Sequence, residues 1–123
     1  MRAAIVVVIF LFSVVPVEHA MASGNQYLGP CKQALAYMQK EDGSSADIDS
    51  GLCGGFVLGV GRVYQDLKPH LPELAICIPR EVIPFQFLKV FVGYLESHPE
   101  ELHEDELILA TRAFRDAWPC EEQ

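Results

Sequence analysis

The residues best suited to chemistry form a short polar run, residues 97–105 (SHPEELHED), in which two histidines stand among four carboxylates. Imidazole and carboxylate groups bind metal ions and transfer protons, so this run is the first candidate for a metal or catalytic site. Its spacing matches no zinc signature, and the chain has no G-x-S-x-G nucleophile motif. We therefore predict that the protein is not an enzyme and holds no metal or cofactor.

The same run fits an exposed, proline-containing loop between two helices, which is a good contact surface for another protein. The residues expected at this contact are Ser97, His98, Glu100, Glu101, His103 and Glu104. The net charge of −8 favours a partner with a basic surface. It disfavours nucleic acid, because carboxylates and the phosphate backbone repel each other.

Four cysteines are the second set of reactive residues: Cys31, Cys53, Cys77 and Cys120. No pair has the C-x-x-C spacing that is typical of a zinc site or a redox centre. In a small exported domain, an even number of cysteines indicates disulfides, here two. The residues alone allow three pairings.

Residues 1–22 have the pattern of a secretory signal peptide. Arg2 precedes an apolar run, and Ala20-Met21-Ala22 offers a small-x-small cleavage site. The apolar run is shorter than the roughly 20 residues that a spanning helix needs. We expect one exported domain, residues 23–123, with no membrane span.

The elements that must position these residues are helices, because apolar residues recur mainly at helical spacing and prolines mark the segment ends. The predicted fold is all-α, a small disulfide-stapled bundle of four helices with room for short additional ones. The predicted helices lie within 25–40 and at about 51–67, 84–97 and 104–117, and Pro30 marks a kink or the first regular turn of the first of them. Residues 41–50 are predicted to be a polar loop.

The third predicted helix is apolar around almost its whole circumference. The polar positions form a narrow strip of Gln86, Lys89, Gly93 and Glu96. Such a helix is buried on most sides. In so small a bundle it is either central or covered by a second subunit, and we also predict a homodimer.

Three glycines, Gly51, Gly55 and Gly59, lie four residues apart and therefore fall along one side of the second helix. Their segment lacks the third glycine of a dinucleotide fingerprint and the Gly-Lys-Ser/Thr of a P-loop. Each glycine costs about 1 kcal/mol of helix propensity relative to alanine. We interpret the row as a packing groove and expect the aromatic third helix to fill it.

Several segments together resemble the Rap/Tai immunity proteins. They are Cys31, Cys53-Gly-Gly-Phe-Val-Leu-Gly-Val, Cys77-Ile-Pro79, the run 86–99 (QFLKVFVGYLESHP) and Ala117-Trp-Pro-Cys120. The resemblance covers nearly the whole of residues 23–123.

This resemblance implies a helical, often dimeric periplasmic protein that binds a peptidoglycan amidase effector of type VI secretion. It would inhibit the amidase by blocking the active-site cleft, and the loop 97–105 would contribute contacts. The alternative function is a general periplasmic interaction or stress protein, chaperone-like and without a dedicated toxin partner.

An up-down-up-down order of helices also bears on the cysteine pairing. Cys77 precedes the third helix and Cys120 follows the fourth, so both lie at the same end of such a bundle. This favours a Cys77–Cys120 bridge and leaves Cys31 to pair with Cys53, which requires the first helix to begin well before Cys31.

Overall fold

The computed structural model of the protein describes residues 23–40 and 43–121. The helices in these ranges are α1 (Gly24–Met38), α2 (Ile48–Leu67), α3 (Pro84–Ser97) and α4 (Glu106–Ala117), with 3-10 turns at Pro72–Leu74 and Pro99–Glu101. The fold is all-α, as predicted. No helix in the described ranges is long and apolar enough to cross a membrane. The predicted signal peptide, residues 1–22, lies outside the described residues.

α1 begins at Gly24 and continues through Pro30, which lies inside the helix. Ser23 stands before the first turn, and its backbone N–H donates to Gln26 Oε1 at 3.2 Å. Pro30 has no N–H and removes one hydrogen bond from the helical ladder. The buried residues of α1 are Gly24, Cys31 and Ala34, which lie on one side at helical spacing.

Side-chain caps set the first residues of α2 and α4. Asp47 accepts a hydrogen bond from the Ser50 amide at 2.8 Å, so α2 begins at Ile48 rather than at the predicted Gly51. Asp105 accepts from the Leu107 amide at 2.9 Å, so α4 begins two residues later than predicted. An aspartate at the N-cap satisfies amides that have no partner within the helix.

α3 is the central helix and packs against α1, α2 and α4. Its buried residues are Phe87, Leu88, Phe91, Val92, Tyr94 and Leu95. All four positions of the predicted polar strip are exposed. The Phe87 ring lies 5.6 Å from the Phe114 ring of α4 and 5.7 Å from Trp118, measured between centroids. Aromatic contacts therefore join α3 to α4 and to the chain that follows it.

Two disulfides link Cys31 to Cys53 and Cys77 to Cys120, which confirms the predicted pairing. The first bridge joins the middle of α1 to α2 and is possible because α1 begins seven residues before Cys31. The second joins the segment before α3 to the chain after α4. Beside it, the Cys77 amide donates to the Trp118 carbonyl at 2.8 Å.

The prediction that α3 fills a groove formed by Gly51, Gly55 and Gly59 is wrong. All three glycines are exposed, and a Cβ at any of them would meet no atom within 4 Å. The glycine that contacts α3 is Gly61, where a Cβ would lie 2.6 Å from the Phe87 ring. Spacing places the three glycines on one side of α2, but the Cys31–Cys53 bridge turns the other side inward.

Candidate partner-binding site

The six residues predicted to contact a partner lie within residues 97–105, here called the acidic loop, which consists of the last residue of α3, Ser97, and the connection to α4. This loop is not a free surface segment, because it rests on the first turn of α1. The Asn25 amide donates to the Leu102 carbonyl at 2.8 Å, and the Gly24 amide donates to the Glu104 carbonyl at 3.1 Å. These bonds satisfy two of the amides that a helix leaves unpaired at its N-terminus.

Gly24 makes this close approach possible. A Cβ at Gly24 would lie 2.5 Å from Leu109 Cδ1 and 3.2 Å from the backbone Cα of Leu102. A larger residue would therefore push the first turn of α1 away from the acidic loop and from α4.

Arg112 of α4 also holds the acidic loop in place. We call the cluster of Arg112, Tyr94, Glu101 and Glu104 the anchor. Arg112 Nη1 donates to Glu101 Oε2 and to Glu104 Oε1, each at 2.9 Å. The Tyr94 hydroxyl of α3 donates to the same Glu101 oxygen at 2.7 Å. The Arg112 side chain is 32% exposed and those of its partners slightly less, so solvent screens these ion pairs only in part.

The contacts among Arg112, Glu101 and Tyr94 shift the pKa of each of these three groups in the direction that preserves the contacts. The Tyr94 hydrogen bond, assisted by Arg112, holds the pKa of Glu101 below its usual value. Burial, and then the bond to Glu101, raise the pKa of Tyr94 to about 12. Hydrogen bonds to Glu104 and Glu101 raise the pKa of Arg112. Glu101 therefore stays ionised and Tyr94 stays protonated at neutral pH.

Acid is expected to remove the contribution of Glu101 to stability. Because the pKa of Glu101 is lower in the folded state, the contribution is complete above the unfolded value of about 4.3 and is lost as the pH falls through the folded value. The difference in free energy of unfolding between the unmodified protein and Glu101→Gln should therefore shrink at acidic pH. Urea unfolding at a series of pH values measures it.

The control for this experiment is Glu100→Gln, which removes the same charge from an exposed neighbour outside the anchor. Equal stability of Glu101→Gln and the unmodified protein at every pH would contradict the expected role of Glu101.

The structure divides the six predicted residues into two groups. Glu101 and Glu104 are held by Arg112, and the His98 ring stacks on Tyr94 with centroids 4.1 Å apart. The Ser97 hydroxyl donates to the Gly93 carbonyl at 2.7 Å. Glu100 and His103 are exposed. Ser97 is exposed too, but its hydroxyl is bonded back to α3, so Glu100 and His103 are the two exposed ionisable side chains of the acidic loop.

Sequence reasoning missed Arg112 and Tyr94. Arg112 lies eight residues after Glu104 and eleven after Glu101, so no short-range helical spacing connects them. Only the reversal of the chain through the acidic loop brings α4 back to these carboxylates. Within residues 23–40 and 43–121, no group of three or more histidine, cysteine, aspartate or glutamate side chains is arranged to hold a metal ion.

α2 carries a second exposed surface, here called the apolar face. Its residues are Ile48, Gly51, Leu52, Gly55, Gly59 and Val63, with Leu107 of α4 beside them. Ile48 is 81% exposed and Leu52 is 63% exposed. A shallow groove of about 420 Å³ runs beside Gly55 and Gly59 and is lined almost wholly by apolar atoms. A contiguous exposed apolar surface is typical of a protein interaction site.

The fold defines a class of protein: a small all-α bundle that is cross-linked by two disulfides and whose acidic loop is bonded to α1, α3 and α4. The chain belongs to the Rap1a immunity proteins, whose family model matches residues 23–120. The match begins at the residue before α1 and ends at the last disulfide cysteine, which confirms the resemblance seen in the sequence.

Membership of this family suggests an immunity protein for a secreted effector, and immunity proteins are generally not enzymes. No curated protein and no solved structure matches the chain.

Proposed function

We propose that this protein is a periplasmic immunity protein that binds and inhibits a peptidoglycan amidase effector of type VI secretion. The observation that carries the proposal is the family match over residues 23–120, combined with an anchored acidic loop that presents Glu100 and His103. A rigid loop suits the blocking of a cleft, because little conformational entropy is lost when it binds.

Charge supports the choice of partner chemistry. The net charge of −8 attracts a basic surface and speeds the encounter with it. Arg112 engages Glu101 and Glu104, and Asp105 caps α4, so Glu100 is the loop carboxylate best placed to pair with a cation of the amidase. His103, three residues further along the same loop, is exposed and adds a hydrogen-bonding group.

The proposed compartment rests on two features. The two disulfides are stable in an oxidising environment such as the periplasm. Residues 1–22 have the pattern of a cleaved signal peptide. N-terminal sequencing of protein from the periplasmic fraction should therefore begin at Ser23, and a chain that starts at Met1 would argue against export by this route.

Inhibition of purified type VI amidases tests the proposed function. Each amidase of a panel is allowed to hydrolyse purified peptidoglycan in the presence of the protein. Stoichiometric inhibition of one member is the expected result, with Glu100→Lys about tenfold weaker. The control Glu73→Lys makes the same charge change at an exposed residue outside the acidic loop.

Failure to inhibit any amidase at concentrations on the order of 10 μM would remove the amidase proposal. Suppression of the aggregation of unrelated proteins at low pH would instead favour the chaperone-like alternative.

We also propose that the protein forms a homodimer through the apolar face. A two-fold interface requires one surface to supply both projections and recesses. Here the exposed side chains of Ile48, Leu52 and Val63 are the projections, and the glycines of the apolar face, with open space above them, are the recess. Between residues 51 and 65 the only charged side chain of α2 is Arg62, so two acidic chains can meet at this face without bringing carboxylates of this stretch together.

Leu52→Lys is expected to raise the dimer dissociation constant at least tenfold, because it places a charge in a desolvated contact. Light scattering across a concentration series measures this constant. Ile83→Lys is the matched control, since Ile83 is 54% exposed but lies outside the apolar face. A dimer that Leu52→Lys leaves intact, or a monomer at every concentration, would overturn the proposal.

A further inference from the structure

We propose that Arg112 is a positioning residue: it holds the acidic loop in its binding conformation before any partner arrives. This inference rests on the proposed function, in which the acidic loop contacts the amidase. Arg112 itself lies on α4, outside the loop, and acts through Glu101 and Glu104.

The first step of the argument is the geometry of a single nitrogen atom. Both ion pairs of Arg112 use Nη1, which lies 2.9 Å from each carboxylate oxygen. This NH₂ group has two N–H bonds and can donate one to each oxygen. The two carboxylates are therefore held close together, and they would repel each other if the guanidinium were absent.

The second step is the position of these carboxylates within the acidic loop. Glu101 ends the 3-10 turn Pro99–Glu101, and Glu104 comes just before the cap of α4. The exposed His103 lies between them in the chain, and the exposed Glu100 immediately precedes Glu101. Fixing Glu101 and Glu104 therefore fixes the backbone that carries both presented side chains.

The third step is the connection to α3. The Tyr94 hydroxyl and Arg112 share the same Glu101 oxygen, and His98 stacks on the Tyr94 ring. The contacts of Arg112 thus extend through Glu101 and Tyr94 to the first part of the loop. No other ion pair involving the acidic loop is found among residues 23–40 and 43–121.

The consequence for binding follows from the populations of the loop. If only a fraction of molecules has the loop in its binding conformation, the apparent dissociation constant rises by the inverse of that fraction. Loss of Arg112 should lower this fraction without removing any contact with the partner. Arg112 therefore affects affinity without touching the partner.

The test compares Arg112→Gln and Arg112→Lys with Arg115→Gln, a change to an exposed arginine of the same helix. Hydrogen exchange of the free protein is measured at the loop amides of Glu101 and Glu104, which donate to the His98 and Glu101 carbonyls. In Arg112→Gln these amides should exchange at least tenfold faster, while the amides of α3 remain protected. Arg112→Lys should recover part of the protection, and Arg115→Gln should match the unmodified protein.

Binding of the same variants to the inhibited amidase is the second readout. Arg112→Gln should bind about tenfold more weakly, about 1.4 kcal/mol. Unchanged loop exchange in Arg112→Gln would overturn the inference, and so would faster exchange with unchanged affinity. If the unmodified protein binds no amidase, the proposed function fails, whereas the exchange measurement on the free protein still decides whether Arg112 orders the loop.

Discussion

Replacement of both Cys77 and Cys120 by serine is expected to lower the free energy of unfolding by about 4 kcal/mol. The two cysteines are 43 residues apart in the chain, and a disulfide that closes so long a loop restricts the unfolded state strongly. A small domain has a total stability of only about 5–15 kcal/mol. The loss would therefore remove roughly a quarter to most of the total stability.

The folded state explains why this bridge matters locally as well. The Cys77 amide bonds to the Trp118 carbonyl at 2.8 Å, and the Cys120 amide bonds to the Ala75 carbonyl at 3.1 Å. Trp118 in turn packs on Phe87 and Phe114. Freeing the chain after α4 therefore loosens one side of the aromatic core.

The matched control is the pair Cys31→Ser with Cys53→Ser. These cysteines are 22 residues apart, so the expected loss is smaller, about 3 kcal/mol. Urea unfolding followed by circular dichroism ranks the two variants. A Cys77/Cys120 variant that is as stable as the unmodified protein, or more stable than the control, would contradict the expectation.

Where a single residue determines the end of a helix, the sequence alone predicts that end. α3 runs from Pro84 to Ser97 as predicted, because proline is favoured in the first turn and Pro99 prevents continuation. The start of α2 was predicted three residues too late, since the segment 41–50 contains several residues that can cap a helix. The hydrogen bonds between Asp47 and Ser50 determine which one does.

Contacts that depend on the tertiary fold were not predictable in the same way. The acidic loop was identified from composition, but its anchor requires Arg112, which reaches Glu101 only after the chain reverses. α2 is apolar on most sides, so its pattern does not reveal which side is buried. That choice depends on the Cys31–Cys53 bridge and on the fit of Gly61 against α3.

Alanine at Gly61 and alanine at Gly59 are expected to change stability in opposite directions. Gly61→Ala should lower the free energy of unfolding by about 1–3 kcal/mol, because its Cβ would lie 2.6 Å from the Phe87 ring. Gly59→Ala should raise it by up to about 1 kcal/mol, because alanine favours the helix and the new methyl group meets no atom within 4 Å. Urea unfolding of both variants measures the difference.

The Phe87 ring has little freedom to relieve the clash at Gly61. It is fully buried, and Phe114 and Trp118 lie against it at 5.6 and 5.7 Å between centroids. A shift of this ring would disturb α4 and the chain before Cys120. A loss at Gly59 as large as the loss at Gly61 would contradict the open space beside Gly59 and mean that the glycine row is packed as well.

One side of α2 packs inside the bundle, and the other is proposed to bind a second copy. Measuring stability at several protein concentrations distinguishes these two roles. Stability of a dimer depends on protein concentration, whereas stability within one chain does not. The cost of Gly61→Ala should therefore be the same at every concentration, since Gly61 packs inside the bundle. Gly59 lies in the apolar face, so any effect of its methyl group on the dimer should change with concentration. One substitution at two positions on a single helix thus tests both the buried side of α2 and the side proposed to bind a second copy.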